Sequence, residues 1–394
     1  MNTNERREHN MFTAPGVNNY ASQIDPAALE QAGRVAALPF VRKPVALMPD
    51  AHVGMGATIG SVIATKNAVI PAAVGVDLGC GLVAQRWEGV TAADLPDDLA
   101  AMHSLIAEAV PAGVGQGRAE TETVHDEVLN SAPTDIDPRI QGRAAIQLGS
   151  LGSGNHFVEL MVNENDEVWL VLHSGSRGPG NLIAQHHIGK AKAALANVIH
   201  APLEDPDLSY FVQGTPEFAD YIRDMLWAQD YALANRQAML DAIHDAIRHL
   251  LPDGFDAGEP IQCHHNYCRQ EHHHGENLWV TRKGAISARE GQLGVIPGSM
   301  ATGSYIVEGL AGDGSWHSAS HGAGRKMSRT KARKSLTADS LNDAMDGIAW
   351  NQTPDALLDE HPEAYKDLDT VMNDQKSLVR IVEKLTTILN YKGT

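Results

Sequence analysis

His321 stands in the run Ser320-His321-Gly322-Ala323-Gly324, and the cations Arg325, Lys326, Arg329, Lys331, Arg333 and Lys334 follow at once. Glycines let backbone N–H groups come close to a phosphate. Arginine and lysine neutralise phosphate charge. An imidazole can attack phosphorus or hold a transferred group. The segment therefore reads as nucleotide handling, with His321 as a covalent carrier. The plainer reading is a glycine turn with a solvated basic helix after it.

Other clusters carry metal-binding residue types. Asp77 and Cys80 lie three apart in Gly75-Val76-Asp77-Leu78-Gly79-Cys80-Gly81. A carboxylate and a thiolate can hold a divalent transition ion, and a thiolate can bridge two; a buried cysteine in a glycine turn is the alternative. Gly154-Asn155-His156-Phe157-Val158-Glu159 and His173-Ser174-Gly175-Ser176-Arg177-Gly178 fall at the ends of expected strands, where polar groups facing glycine loops are common at active sites. Cys263-His264-His265-Asn266-Tyr267-Cys268, with His272, His273 and His274 behind it, looks like a zinc cluster. Its spacing fits structural zinc poorly, so one ligand from this group is expected, with His272 to His274 on a surface loop. In Met48-Pro49-Asp50-Ala51-His52 an acid is placed to orient a reacting imidazole. Pro297-Gly298-Ser299-Met300, running on to Ser304, offers hydroxyls and free N–H groups suited to a nucleotide.

The elements that must position these residues are of mixed type. Short apolar runs at 45–48, 59–64, 82–86, 168–172, 278–281 and 293–296 predict strands. Helical spacing covers 92–109, 181–200 and 364–389. A further helix starts at Thr215 as N-cap with Pro216 behind it, and its apolar stripe continues to about Leu250. Residues 111–143 read as a long irregular connection. Without regular βαβ alternation the fold class is α+β. One large domain over 1–394 is expected, with residues 1–40 peripheral and a long helical insertion at about 181–250.

Composition narrows the function classes. The 394 residues supply ample core. Three cysteines make no disulfide framework, while 19 histidines, several beside glycine or asparagine, suggest metal ligation. No apolar run is long enough to span a membrane, and the polar start lacks a signal core; the expected location is the cytoplasm. Net charge is −18, which would repel phosphate from a generic nucleic-acid coat. The concentrated basic run after His321 keeps a nucleic-acid substrate open.

Taken in order, PDAHVGMGATIG, VGVDLGCG, GSGNHFVE, LHSGSRG, CHHNY, VTRKGAISA, IPGSMATGSY, SHGAGRKMSR and a C-terminal YKG resemble the RtcB-type RNA ligase family over about residues 45–394. The resemblance implies mixed sheets around a central cleft, with helices outside. It implies a ligase dependent on GTP and Mn²⁺ (two ions), acting in RNA repair or tRNA splicing. Such an enzyme joins an RNA 3′-phosphate or 2′,3′-cyclic phosphate to a 5′-hydroxyl. Carried across, Asp77, Cys80, His156, His173 and His265 are the metal ligands, with Cys80 bridging. Asn155 to Glu159 (including His156, Phe157 and Val158), His265, Asn266, Pro297, Gly298, Ser299, Met300, Ser304, His321, Gly322, Ala323, Gly324 and Lys392 are the guanylate contacts. Glu159 and Lys392 read the base. His321 carries GMP, Asp50 holds its other ring nitrogen, and Arg177, Arg325 and Arg329 meet RNA phosphates. Ala301 stands where the family often has glycine, and 111–143 is compact beside familiar bacterial members; both bear on which RNA is preferred. No membrane partner is implied, and a monomer is the default. Two rivals remain open: a metal-dependent 2′,3′-cyclic phosphodiesterase without nucleotidyl transfer, and a zinc-stabilised RNA-binding module built on Cys263 to His274.

Overall fold

The computed structural model describes residues 13–117, 126–198 and 203–393. The first third contains β1 (Val17–Asn19), α1 (Pro26–Ala36), β2 (Val41–His52), β3 (Ile59–Thr65), β4 (Gly81–Thr91) and α2 (Ala100–Ala109). The middle contains α3 (Arg139–Gln147), β5 (Phe157–Val162), β6 (Glu167–Ser174), α4 (Arg177–Val198) and α5 (Pro216–Ile247). Next come β7 (Ile261–His264), β8 (Asn266–His273), β9 (Glu276–Lys283), β10 (Ala285–Ser287) and β11 (Leu293–Pro297). The chain continues through β12 (Ser304–Gly309), β13 (Ser318–Ser320), α6 (Arg329–Ser335), α7 (Leu368–Asp374) and β14 (Val379–Lys392).

Two sheets dominate. One has the order β1-β2-β3-β9-β8. The other runs β7-β4-β6-β5-β14-β12-β11, with short strands Asp256–Ala257 and Ala349–Trp350 attached to β4 and β14. Side chains alternate between the faces of a strand, and the burial follows that period. Ala46, Met48, Val62 and Ala64 of the small sheet share one core with Leu82, Ala84, Met161 and Val171 of the large sheet. Their neighbours point the other way. Val45, Leu47 and Ile63 pack under α1. Val83, Leu160, Leu170 and Leu172 pack under α2 and α5 through Met102, Ile106, Met239 and Ile243. The architecture is α+β, two sheets face to face with helices on the outside.

The expected strands all form, and the cap at Thr215 accepts from the Phe218 N–H at 3.3 Å with Pro216 at the first helical position. Three expectations need correction. The segment 364–389 is not one helix: α7 ends at Asp374 and β14 follows. Val379, Ile381, Val382, Thr386, Thr387 and Ile388 are β-branched, and they fit a pleated sheet better than a helix. The helix expected over 92–109 is a single 3₁₀ turn at Ala92–Asp94 and then α2, with Pro96 in the break. Within 111–143 the described part contains a short helix, Asp126–Asn130, and the start of α3. In the N-terminal region, β1 pairs with β2 and α1 covers the small sheet, so the described part of 1–40 is a packed outer layer. Residues 1–12 lie outside the described ones.

Candidate metal centre and nucleotide cavity

Sheet register gathers the metal-type residues. β4 lies between β7 and β6, and β6 pairs with β5. Gly81 faces Ser174, Leu82 faces His173, and Gly81 also faces His264. Phe157 faces His173 on the other side. The turn holding Asp77 and Cys80, the loop holding His156, the end of β6 with His173, and His265 between β7 and β8 therefore meet at one sheet end. Cys80 Sγ lies 3.3 Å from His156 Nε2 and 3.3 Å from His173 Nε2. His173 Nε2 lies 2.9 Å from His265 Nε2. Asp77 Oδ2 is 3.1 Å from His156 Nε2.

The chemistry of this donor set fits divalent ions. His173 Nδ1 donates to the Asn155 carbonyl at 3.2 Å, which leaves the Nε2 lone pair pointing inward. Cys80 belongs to two ligand groups, Cys80–His173–His265 and Asp77–Cys80–His156. One sulfur shared by two triads suits a bridging thiolate. Burial, with His321 and His173 nearby, holds His265 well below the usual imidazole range; burial, with His156 and His321, does the same for His173. Both rings are thus neutral, the ligating form. Burial, reinforced by Asp77, pushes the Cys80 thiol well up, so metal uptake must release its proton. Burial alone would raise Asp77, but His156 and Arg177 carry it below the usual carboxylate range.

His321 follows β13 directly. Its Nδ1 sits 2.6 Å from Asp50 Oδ2, and its backbone N–H donates to the same oxygen at 3.2 Å. Asp50, on β2, is fully buried. The pair fixes the ring with Nε2 away from the acid. Gly324 lies against this acid: at φ +73° a Cβ there would stand 2.3 Å from the Asp50 carbonyl oxygen. The His321 and His265 ring centres are 4.6 Å apart, so the lone imidazole borders the metal-type cluster.

A cavity of about 410 Å³ joins the two. Its walls include His321, His173, His265, Asn266, Asp77, Asn155, Phe157, Glu159, Pro297 to Met300, Gly322 to Gly324 and Lys392. Not every expected contact is there. Val158 points into the core under α2 and α5, and buried Ser304 does not line the wall. His156 and Arg177 border a neighbouring cavity of about 460 Å³ together with Asp77 and Asn155. Arg177 donates to His156 Nδ1 at 3.0 Å. At the far end of the main cavity, Asn390 donates to Glu159 at 2.5 Å. Burial, opposed by Asn390 and Lys392, pushes the Glu159 carboxyl up to about 8.

Sequence reasoning missed Glu360. This buried acid receives Lys392 at 2.8 Å and the Tyr365 hydroxyl at 2.6 Å, and it also pairs with Arg325 and Arg329. Burial alone would raise it; Lys392 and Arg329 bring it down to about 2. Two of the three arginines expected at RNA phosphates, Arg325 and Arg329, are thus held by acids, Arg329 also by Asp359 at 2.6 Å. Nothing around Asp359-Glu360 in the sequence marks it, because it is one acidic pair among 49 acids. Lys283 of VTRKG, also on the wall, is another omission. Its buried ammonium donates to the Ala72 carbonyl at 2.9 Å and to that of Met55.

The Cys263 to His274 group does not form a cluster. Cys263 and Cys268 fall in different cores, and neither joins a metal-type group among the described residues. His272 and His273 lie on β8, not on a loop, and buried His273 contacts Glu271 at 3.0 Å. Only His265 reaches the ligand set.

A sequence profile for the tRNA-splicing ligase RtcB matches residues 31–133 and 120–393. The chain belongs to the RtcB family. RNA-splicing ligase RtcB of Escherichia coli (strain K12) is 42% identical over 393 residues, which covers 94% of this chain and 95% of that one. The tRNA-splicing ligase RtcB of Aeropyrum pernix is 31% identical over 416 residues, 87% of this chain and 86% of its own. A homologue in Entamoeba histolytica, RNA-splicing ligase RtcB homolog 1, is 29% identical over 449 residues. The RtcB match includes every segment that borders the cavity, from His52 to Lys392.

Proposed function

We propose that this chain is an RNA ligase that uses GTP and Mn²⁺ to join an RNA 3′-phosphate, or a 2′,3′-cyclic phosphate, to a 5′-hydroxyl. The observation that carries the reading is the single imidazole, His321, held on a buried acid beside a cluster of two metal-type triads. Membership of a family whose relatives are named RNA-splicing ligases supports it. Two divalent ions held by Asp77, Cys80, His156, His173 and His265 would supply neutralisation of pyrophosphate and phosphate charge.

The protein groups do the rest. Asp50 keeps Nδ1 engaged, so the His321 Nε2 lone pair attacks the α-phosphorus of GTP and pyrophosphate leaves. Glu159 and Lys392 hold the guanine end. The RNA 3′-phosphate oxygen then displaces His321 from the GMP phosphorus. The 5′-hydroxyl attacks the activated 3′-phosphorus and GMP leaves. A cyclic end is first opened by water. Arg177, beside the neighbouring cavity, and half-exposed Arg329 contact RNA phosphates; Arg325 serves the same surface from under the Tyr365 ring.

The test is incubation with α-labelled GTP and Mn²⁺, followed by a 3′-phosphate and a 5′-hydroxyl oligonucleotide. An acid-labile label lost in His321→Ala, together with sealed product, is expected. Cleavage of cyclic ends without any protein label would replace the ligase by a phosphodiesterase.

A further inference from the structure

Arg236, in the middle of α5, is fully buried. Among the described residues no carboxylate pairs with it. Its Nη1 donates to two backbone carbonyls, that of Gly79 at 3.1 Å and that of Ser174 at 2.9 Å. These carbonyls directly adjoin Cys80 and His173. His264, the neighbour of His265, places Nδ1 2.8 Å from the same Gly79 oxygen and 3.3 Å from Arg236 Nη2. The residue before it works alongside. Asn235 Oδ1 accepts from the Gly149 N–H at 2.8 Å, and its amide donates to Gly175 O at 3.3 Å. Gly79 itself touches α5, for a Cβ there would lie 2.7 Å from Gln229 Cα.

A buried guanidinium without a counter-ion is costly. The other fully buried arginine among the described residues, Arg282, meets Glu271 at 2.5 Å. Arg236 spends Nη1 on main chain instead, at the segments that carry Asp77, Cys80 and His173. Both carbonyl bonds leave from one nitrogen, Nη1, while the rigid planar group sets Nη2 beside His264 in fixed relation to them; an ammonium is a point donor and spans no such pair of positions. Partners behind metal ligands set their orientation and commonly change metal affinity when lost.

We infer that Arg236 is a positioning residue for the metal centre: it clamps the Cys80 and His173 segments to α5, with His264 bringing in the His265 segment. The inference rests on the metal reading above and extends it to a residue outside the cavity. Its role lies in the fork and not in the charge alone.

The test is titration of the metal-free full chain with Mn²⁺, reading free Mn²⁺ by electron paramagnetic resonance. Arg236→Lys and Arg236→Met should both weaken uptake by about tenfold or more, while far-UV circular dichroism stays as in the wild type. Arg282→Lys, at the other buried guanidinium, should leave the affinity unchanged. A folded Arg236→Lys or Arg236→Met that binds Mn²⁺ as tightly as wild type overturns the clamp. If neither variant folds, His264→Ala decides, since it removes the second hold on the Gly79 carbonyl from a partly exposed site. Weaker uptake is then expected, and wild-type affinity refutes the inference. A wild-type chain that takes up no Mn²⁺ would instead remove the metal centre itself.

Discussion

Asp50 and His321 are 271 residues apart in sequence and 2.6 Å apart in space. Asp50→Asn keeps the size and removes the charge that orients Nδ1. Self-guanylylation should drop by about two orders of magnitude or more, with Mn²⁺ uptake intact; a variant that labels at the wild-type rate would show that Asp50 does not act on the ring. Cys80→Ala removes the sulfur common to both triads, so Mn²⁺ stoichiometry measured by titration should fall and labelling should vanish. Glu159 gives a pH signature. Burial disfavours its charge and pushes the carboxyl up to about 8. Guanine offers N–H donors, which only the carboxylate can accept well. GTP affinity should therefore rise as pH increases toward about 8, and the slope should be absent in Glu159→Gln. Asp77, Cys80, His156, His173 and His321 are legible in sequence because each is a polar residue in or near a glycine turn, whereas His265 is singled out of the Cys263 to Cys268 run only by the family resemblance. Glu360 and Arg236 are not legible. One sits in an ordinary acidic stretch and the other on a helix whose stripe looks like plain core, and only the fold turns their charges toward the site.

The elements explain why the ligands converge. Adjacent strand ends β7, β4, β6 and β5 each deliver one ligand segment, and antiparallel register sets their level. A one-residue slip would turn His173 to the opposite face. Local pattern found these strands, since each is short and apolar. It failed for β14, where a charged, β-branched run mimics helical spacing until its partners β5 and β12 are known. The 3₁₀ turn Leu358–Glu360, which carries Asp359, ties α6 to β14, because Glu360 holds Arg329 and Lys392 together. Its pKa is lowered, to about 2. The sign follows: the stabilisation is complete above the ordinary glutamate value and is lost as pH falls toward 2. Acid unfolding followed by tryptophan fluorescence should show this loss, and Glu360→Gln should shallow it. Gly324→Ala should lower the melting temperature and misplace His321, because the left-handed backbone and the Asp50 carbonyl both reject a Cβ.

At the scale of the whole molecule, net charge is −18 while cations gather near one cavity mouth. These cations already face Asp359 and Glu360, so an RNA phosphate has to compete with the two acids for Arg329. Arg329→Ala should weaken RNA binding and flatten its salt dependence, with self-guanylylation less affected; equal loss of both would tie Arg329 to the nucleotide through Glu360 instead.

β14 sits in the interior of the large sheet, between β5 and β12, yet it is the last strand in chain order. A ribosome makes both neighbours before it makes their bridge. Until then each neighbour presents an unpaired edge, and such edges invite pairing with other chains. Lys392, which lines the main cavity, rides on this same strand. Premature termination between Gly309 and Val379 thus yields more than a shortened enzyme: it leaves a split sheet with two sticky borders, and such fragments should accumulate as insoluble material in translation-stalled cells.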